Sequence, residues 1–145
     1  NFDYYEKMCE HSSSLSYAPH AIASADNDRL LSFHEYLGKT AEIDLKNLHG
    51  GSEHGVHSGC AAGAWISIFR GLFGCICRED HIVLSPKMLP WWKSVSIKFR
   101  YKNELIKMVM YDNIFIINKQ SSEPLKLEIF GKEYILNKEL QLDLV

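Results

Sequence analysis

No apolar run in this chain reaches the ~20 residues of a bilayer-spanning helix, and acidic and basic side chains nearly cancel at a net charge of −2. The first absence excludes a helical membrane span. The second removes any general electrostatic argument for nucleic acid or a membrane surface as partner. Cysteine is scarce too. Cys9, Cys60, Cys75 and Cys77 make no disulfide framework, and Cys75-x-Cys77 lacks the second Cys/His pair of a zinc finger. Buried free thiols belong to a reducing compartment, so a cytoplasmic protein is expected. There is no Gly-x-Ser-x-Gly elbow to expose a serine nucleophile. Paired carboxylates suited to glycoside hydrolysis are also missing; Glu6, Glu10 and Glu53 are the acidic residues nearest the polar loops. Internal repeats and low-complexity tracts are absent.

What is present is unevenly distributed. The 46% hydrophobic and 23% charged residues are those of a globular chain with a sizeable core. Residues 1–80 carry 11 acidic and 6 basic side chains, net −5, whereas residues 81–145 carry 7 and 10, net +3. That split suggests two modules.

The first half has helical period. A hydroxyl run, His11-Ser12-Ser13-Ser14-Leu15-Ser16, leads to Pro19, which a helix tolerates in its first turn, so a helix should start near Ser16 to Ala18. Asp26-Asn27-Asp28 should break it. Leu30, Phe33, Leu37, Ala41 and Leu45 then fall near i, i+3, i+4 spacing, predicting an amphipathic helix over 29–45. After a Gly/His-rich loop, residues 58–73 are apolar on nearly every face, the pattern of a helix buried inside a larger helical assembly. Ser58 is its expected N-cap, and bare N–H groups at that end suit an anion.

After Glu79-Asp80 the period becomes two. Residues 94–101 alternate polar and apolar; segments 104–111, 113–118, 125–130 and 133–136 continue the pattern, with turns at Lys102-Asn103, Asp112-Asn113 and Gly131-Lys132. Short, regularly spaced strands predict an antiparallel sandwich. The fold class is therefore α+β, helices over 1–80 and a β module over 81–145.

Three features could carry chemistry. His49, His54 and His57 form H-x4-H-x2-H, open to three readings: a zinc site, functional non-metal histidines, or solvated loop side chains. The serines either cap a helix or, with helix-start N–H groups, grip phosphate. Trp91-Trp92 is either a sugar-stacking platform or a packing element.

Three passages, in order, resemble the C-terminal part of glycoside hydrolase family 65, the inverting α-glucosyl disaccharide phosphorylases. They are Asn1-Phe2-x-x-Tyr5-Glu6 running into His11–Ser16; His54-Gly55-Val56-His57 with Ala62-Gly63-x-Trp65; and Leu84-Ser85-Pro86 with Leu89-Pro90-x-Trp92-Lys93, leading into Phe99-Arg100-Tyr101.

The resemblance implies the last helices of an (α/α)6 barrel followed by a C-terminal β-sandwich. It implies a phosphate site at Ser13, Ser14 and His57, with no metal and no cofactor other than inorganic phosphate as co-substrate. The family commonly has Asp where this chain has Ser12. Phosphate would replace both the water and the base of an inverting hydrolase, attack the anomeric carbon of an α-linked glucose disaccharide and release β-glucose 1-phosphate. The general-acid Glu is expected upstream of Asn1, so this stretch holds no catalytic acid and would be inactive alone. The parent enzyme is expected to be a homodimer with no nucleic-acid or membrane partner. A family hydrolase using water, or a non-catalytic carbohydrate-binding module with Trp91 and Trp92 as platform, are the other readings.

Overall fold

Ser24, Ala21 and Ala25 have no exposed surface, and neither does Phe33; these residues mark where two helices close on each other. The computed structural model describes residues 1–48 and 50–144; His49 lies outside the described residues. The chain forms two compact units, Asn1–Gly71 and Leu72–Val145.

The first unit holds α1 (Phe2–Glu6), a 3₁₀ turn at Ser14–Ser16, α2 (Tyr17–Asp26), α3 (Leu30–Ala41) and α4 (Ser58–Ile66). Helix α2 begins where Pro19 allows and ends at Asn27, whose N–H bonds back to Ala23 and Ser24 carbonyls. Ala18, Ala21 and Ala25 of α2 are buried, as is Phe33 of α3, burial of a side chain that contributes roughly 1.5–3 kcal/mol; a Cβ on Gly71 would meet both Phe33 and Ala25. Small residues let α4 approach as closely. A Cβ on Gly63 would meet that of Ala18 at 2.8 Å.

Two expectations change here. Helix α3 stops at Ala41 rather than continuing to Leu45, which is 85% exposed. Residues 42–48 instead wind into turns. Within this chain Cys60 and Gly63 of α4 face inward while Trp65 is 44% exposed. The apolar segment at 58–73 is also not one helix. After Ile66 it widens into a π-helical segment, Ser67–Leu72, where the Ser67 hydroxyl donates to the Gly63 carbonyl at 2.7 Å, the back-bond that loosens a helix.

The second unit contains two four-stranded sheets. One has the order β1 (Ile76–Cys77), β2 (His81–Leu84), β6 (Leu125–Ile129) and β7 (Lys132–Leu136); the other β3 (Ser94–Tyr101), β4 (Glu104–Tyr111), β5 (Ile114–Lys119) and β8 (Glu139–Asp143). Buried residues alternate along them, Ile97, Phe99 and Tyr101 on β3 and Ile106, Met108 and Met110 on β4, as a half-buried sheet requires. Three hairpins turn on two residues with positive φ: Lys102-Asn103, Asp112-Asn113 and Phe130-Gly131. These are the turns whose twist matches that of the strands. The third lies one residue earlier than the sequence suggests.

All strand pairs are antiparallel except β2 with β6, which run parallel. Strands β1, β2 and β8 were not expected. The first brings the β unit forward to Leu72 rather than 81, because Ile76 and Cys77 pair with Val83 and Ile82. Lys119 is buried, its ammonium donating to the carbonyls of Ser121 and Glu123 and to the Ser121 hydroxyl, so it anchors the loop after β5.

Candidate functional site

The serine run does not cap α2 directly. Ser13 Oγ accepts from the Leu15 N–H at 3.4 Å and caps the 3₁₀ turn that precedes the helix. Ser16 donates its hydroxyl proton to the Ser13 carbonyl at 2.8 Å. With that proton committed, Ser16 Oγ can only accept from His11 Nδ1, 2.9 Å away. His20 Nδ1 reaches the Ser16 carbonyl at 2.8 Å. Two imidazoles therefore clamp the turn that presents Ser13 and Ser14.

His11 is itself held in a left-handed backbone conformation, φ 47°, a strained state that persists where surrounding bonds over-determine it. Its ring is 5.1 Å from Tyr36 and stacked at 5.4 Å on Tyr17. Its Nε2 lies 3.1 Å from the Tyr36 hydroxyl, which also bonds Glu6 Oε1. One phenolic proton cannot serve both. The phenolic proton goes to Glu6. Burial, followed by the nearby His20, pulls the His11 pKa below its usual value. Glu6 Oε2 is left buried with no hydrogen-bond partner, 3.7 Å from His20 Nε2.

Ligand atoms of Cys9, His11 and His20 come within 4.8 Å of one another. Nevertheless His11 Nδ1 and His20 Nδ1 are already bonded to Ser16. This set acts as a brace for the serine turn.

The two described loop histidines, His54 and His57, have different partners. His54 is exposed and faces Glu53 at 3.7 Å. His57 lies elsewhere, with Nδ1 2.5 Å from Asp44 Oδ1 and its backbone N–H donating to Asp44 Oδ2 at 2.8 Å. His57, not Ser58, is the N-cap of α4, and its side chain makes no capping bond. The N–H groups of Ser58, Cys60 and Ala61 bond to the Val56 and His57 carbonyls. Three of the amides at this helix start are therefore already bonded, and the His57 imidazole stands beside them.

The structure brings the start of α4 against the serine turn. Cys60 Sγ lies 3.6 Å from the Ser14 carbonyl, and a Cβ on Gly59 would meet Leu15 Cδ2 at 2.7 Å. Only glycine admits the turn this closely. Trp92 lines a separate surface cavity with Leu89, Pro90, Asp112 and Asn113; Trp91 is exposed. Neither indole is part of the buried core.

Glu6, His11, His20, Tyr36 and Asp44 were missed as site residues. His11 adjoins the serine run and was legible there. Asp44 precedes His57 by 13 positions within a segment read as helix, and carried no signal.

Residues 1–66 match the glycosyl hydrolase family 65 central catalytic domain, and residues 76–136 match the family's C-terminal domain. The chain belongs to glycosyl hydrolase family 65. It is 45% identical over 134 residues, 92% of this chain and 18% of the relative, to the 3-O-alpha-D-glucosyl-L-rhamnose phosphorylase of Lachnoclostridium phytofermentans. It is 30% identical over 144 residues, 99% of this chain and 19% of the relative, to an alpha,alpha-trehalose phosphorylase of Geobacillus stearothermophilus. A solved structure named for a kojibiose phosphorylase from the human microbiome superposes with a TM-score of 0.93 at 27% identity, covering 100% of this chain and 21% of that one. The chain thus spans about a fifth of the length of these relatives.

Proposed function

We propose that this chain is the C-terminal portion of an inverting α-glucosyl disaccharide phosphorylase and carries its phosphate site at Ser13, Ser14 and His57. One observation supports this above the others: an imidazole fixed by a carboxylate heads the helix against which the serine turn is packed. The serine hydroxyls supply neutral donors, and the His57 ring, held at Nδ1 by Asp44, presents Nε2 to the guest.

Held this way, phosphate attacks the anomeric carbon from the face opposite the leaving sugar, giving β-glucose 1-phosphate. No general base is needed, because the nucleophile is already an anion. The residues here act by placing it and stabilising its charge. Protonation of the leaving oxygen falls to a carboxylic acid outside this chain, so residues 1–145 alone should turn nothing over. In this reading the complete enzyme is a cytoplasmic homodimer using inorganic phosphate and no other cofactor; the four free cysteines fit a reducing compartment.

The test is His57→Ala in the complete enzyme. Phosphorolysis should fall about 10²–10³-fold, the cost of one such donor, with disaccharide binding nearly unchanged. An unaltered rate, or sugar release independent of phosphate, would refute the proposal.

A further inference from the structure

We propose that Asp44 is a positioning residue for the attacking phosphate, acting through His57; the proposal rests on the phosphate reading of that histidine. The geometry is a two-point grip. Oδ2 accepts from the His57 backbone N–H at 2.8 Å while Oδ1 takes the ring Nδ1 at 2.5 Å. The first contact fixes how the chain enters α4, and the second fixes the rotation of the ring about its own bonds. Both atoms come from residues 13 positions apart, so a turn following α3 is tied to the head of α4.

Two consequences follow. The proton on Nδ1 is assigned by its carboxylate partner, leaving Nε2 as the atom that can address a guest. Reciprocally, the hydrogen bond to His57 holds the Asp44 carboxyl below the usual carboxylate range. The remaining charged groups of the loop do not compete: Glu53 and His54 face each other, and Asp44 is the ion-pair partner of His57 among the described residues. The loop also curls onto Asp44, with Ser52 Oγ 3.4 Å from its carbonyl and Asn47 Oδ1 accepting from the Ser52 N–H at 3.1 Å.

In the complete enzyme, Asp44→Asn, Asp44→Glu and His57→Ala would be compared with the parent by initial rates against phosphate and against disaccharide. Asp44→Asn should raise KM for phosphate about 10- to 100-fold, the scale on which a metal-bound histidine suffers when its orienting partner is lost, with KM for the disaccharide within about twofold. Asp44→Glu keeps the charge but displaces the carboxylate, and kcat/KM for phosphate should still fall. It carries the same test if Asp44→Asn does not fold. A phosphate KM equal to the parent's in either folded variant, where His57→Ala is impaired, would overturn the role of Asp44 alone. If His57→Ala is itself unimpaired, the phosphate reading fails beneath it.

Discussion

The helical unit and the β unit solve the same problem of burial to different degrees. Of the large apolar side chains exposed among the described residues, nine lie in the helical unit, including Tyr4, Tyr5, Leu45 and Trp65, and three in the β unit. The β unit alternates, turns on matched two-residue hairpins and closes its core with Phe115, Met108 and Ile117. The helical unit holds a strained His11, a π-helical segment and a chain of polar contacts from Glu6 through Tyr36 and His11 to Ser16. Regular repetition satisfies backbone and core together in the β unit, whereas the irregular backbone and the chained polar contacts lie in the helical unit.

Dividing the chain after Gly71 would break this comparison most directly. Residues 72–145 alone should unfold in one cooperative melt, whereas residues 1–71 alone should bind a hydrophobic dye and melt without a sharp transition. A sharp, dye-silent melt of 1–71 would remove the contrast.

A smaller effect tests the hairpins. Gly131 has φ 73° with open space where a Cβ would stand, so Gly131→Ala should cost about 1 kcal/mol through backbone strain alone. Gly131→Asn should recover much of it, since asparagine tolerates this conformation. Equal denaturation midpoints for alanine and glycine would show that the turn type does not matter.

The smallest expected effect separates the units by pH. His11 binds its proton less readily in the fold than its usual value of 6.5, first through burial and then through His20. As pH falls below 6.5 the unfolded chain takes up this proton first, so stability should decline down to the folded pKa and change no further from this group below it. His11→Gln should flatten that limb of a melting-temperature profile. In the β unit the acidic shifts are those of Asp80, lowered by its bond to His81, and Glu104, lowered by its bond to Ser121. Their stabilisation should persist until the carboxylate range is reached, then vanish as pH falls through the folded values.

Much of the fold was legible because its rules are local. Pro19 and the Asp26-Asn27-Asp28 break set the limits of α2, and period two set β3 and β4 to the residue. Strand β8 escaped because Leu140 and Leu142 are only half-buried and an edge strand needs little apolar patterning. The parallel pairing of β2 with β6 could not be read, since the two are far apart in sequence and pattern carries no register. For the site, the serine run and the Gly-Val-His segment were visible as short polar interruptions. Their supports were not. Glu6, Tyr36 and Asp44 look like ordinary helix-face residues in one dimension.

By itself the sequence determined which residue types could bear charge or donate hydrogen bonds, that helices give way to strands, and the family. Those depend on composition and spacing over a few turns. Only the tertiary structure decided which histidine is held by which carboxylate. His54 and His57 stand three positions apart, yet one is exposed beside Glu53 and the other is gripped by Asp44. Partners across such separations are chosen by how helices and turns pack, and packing is a property of the folded chain.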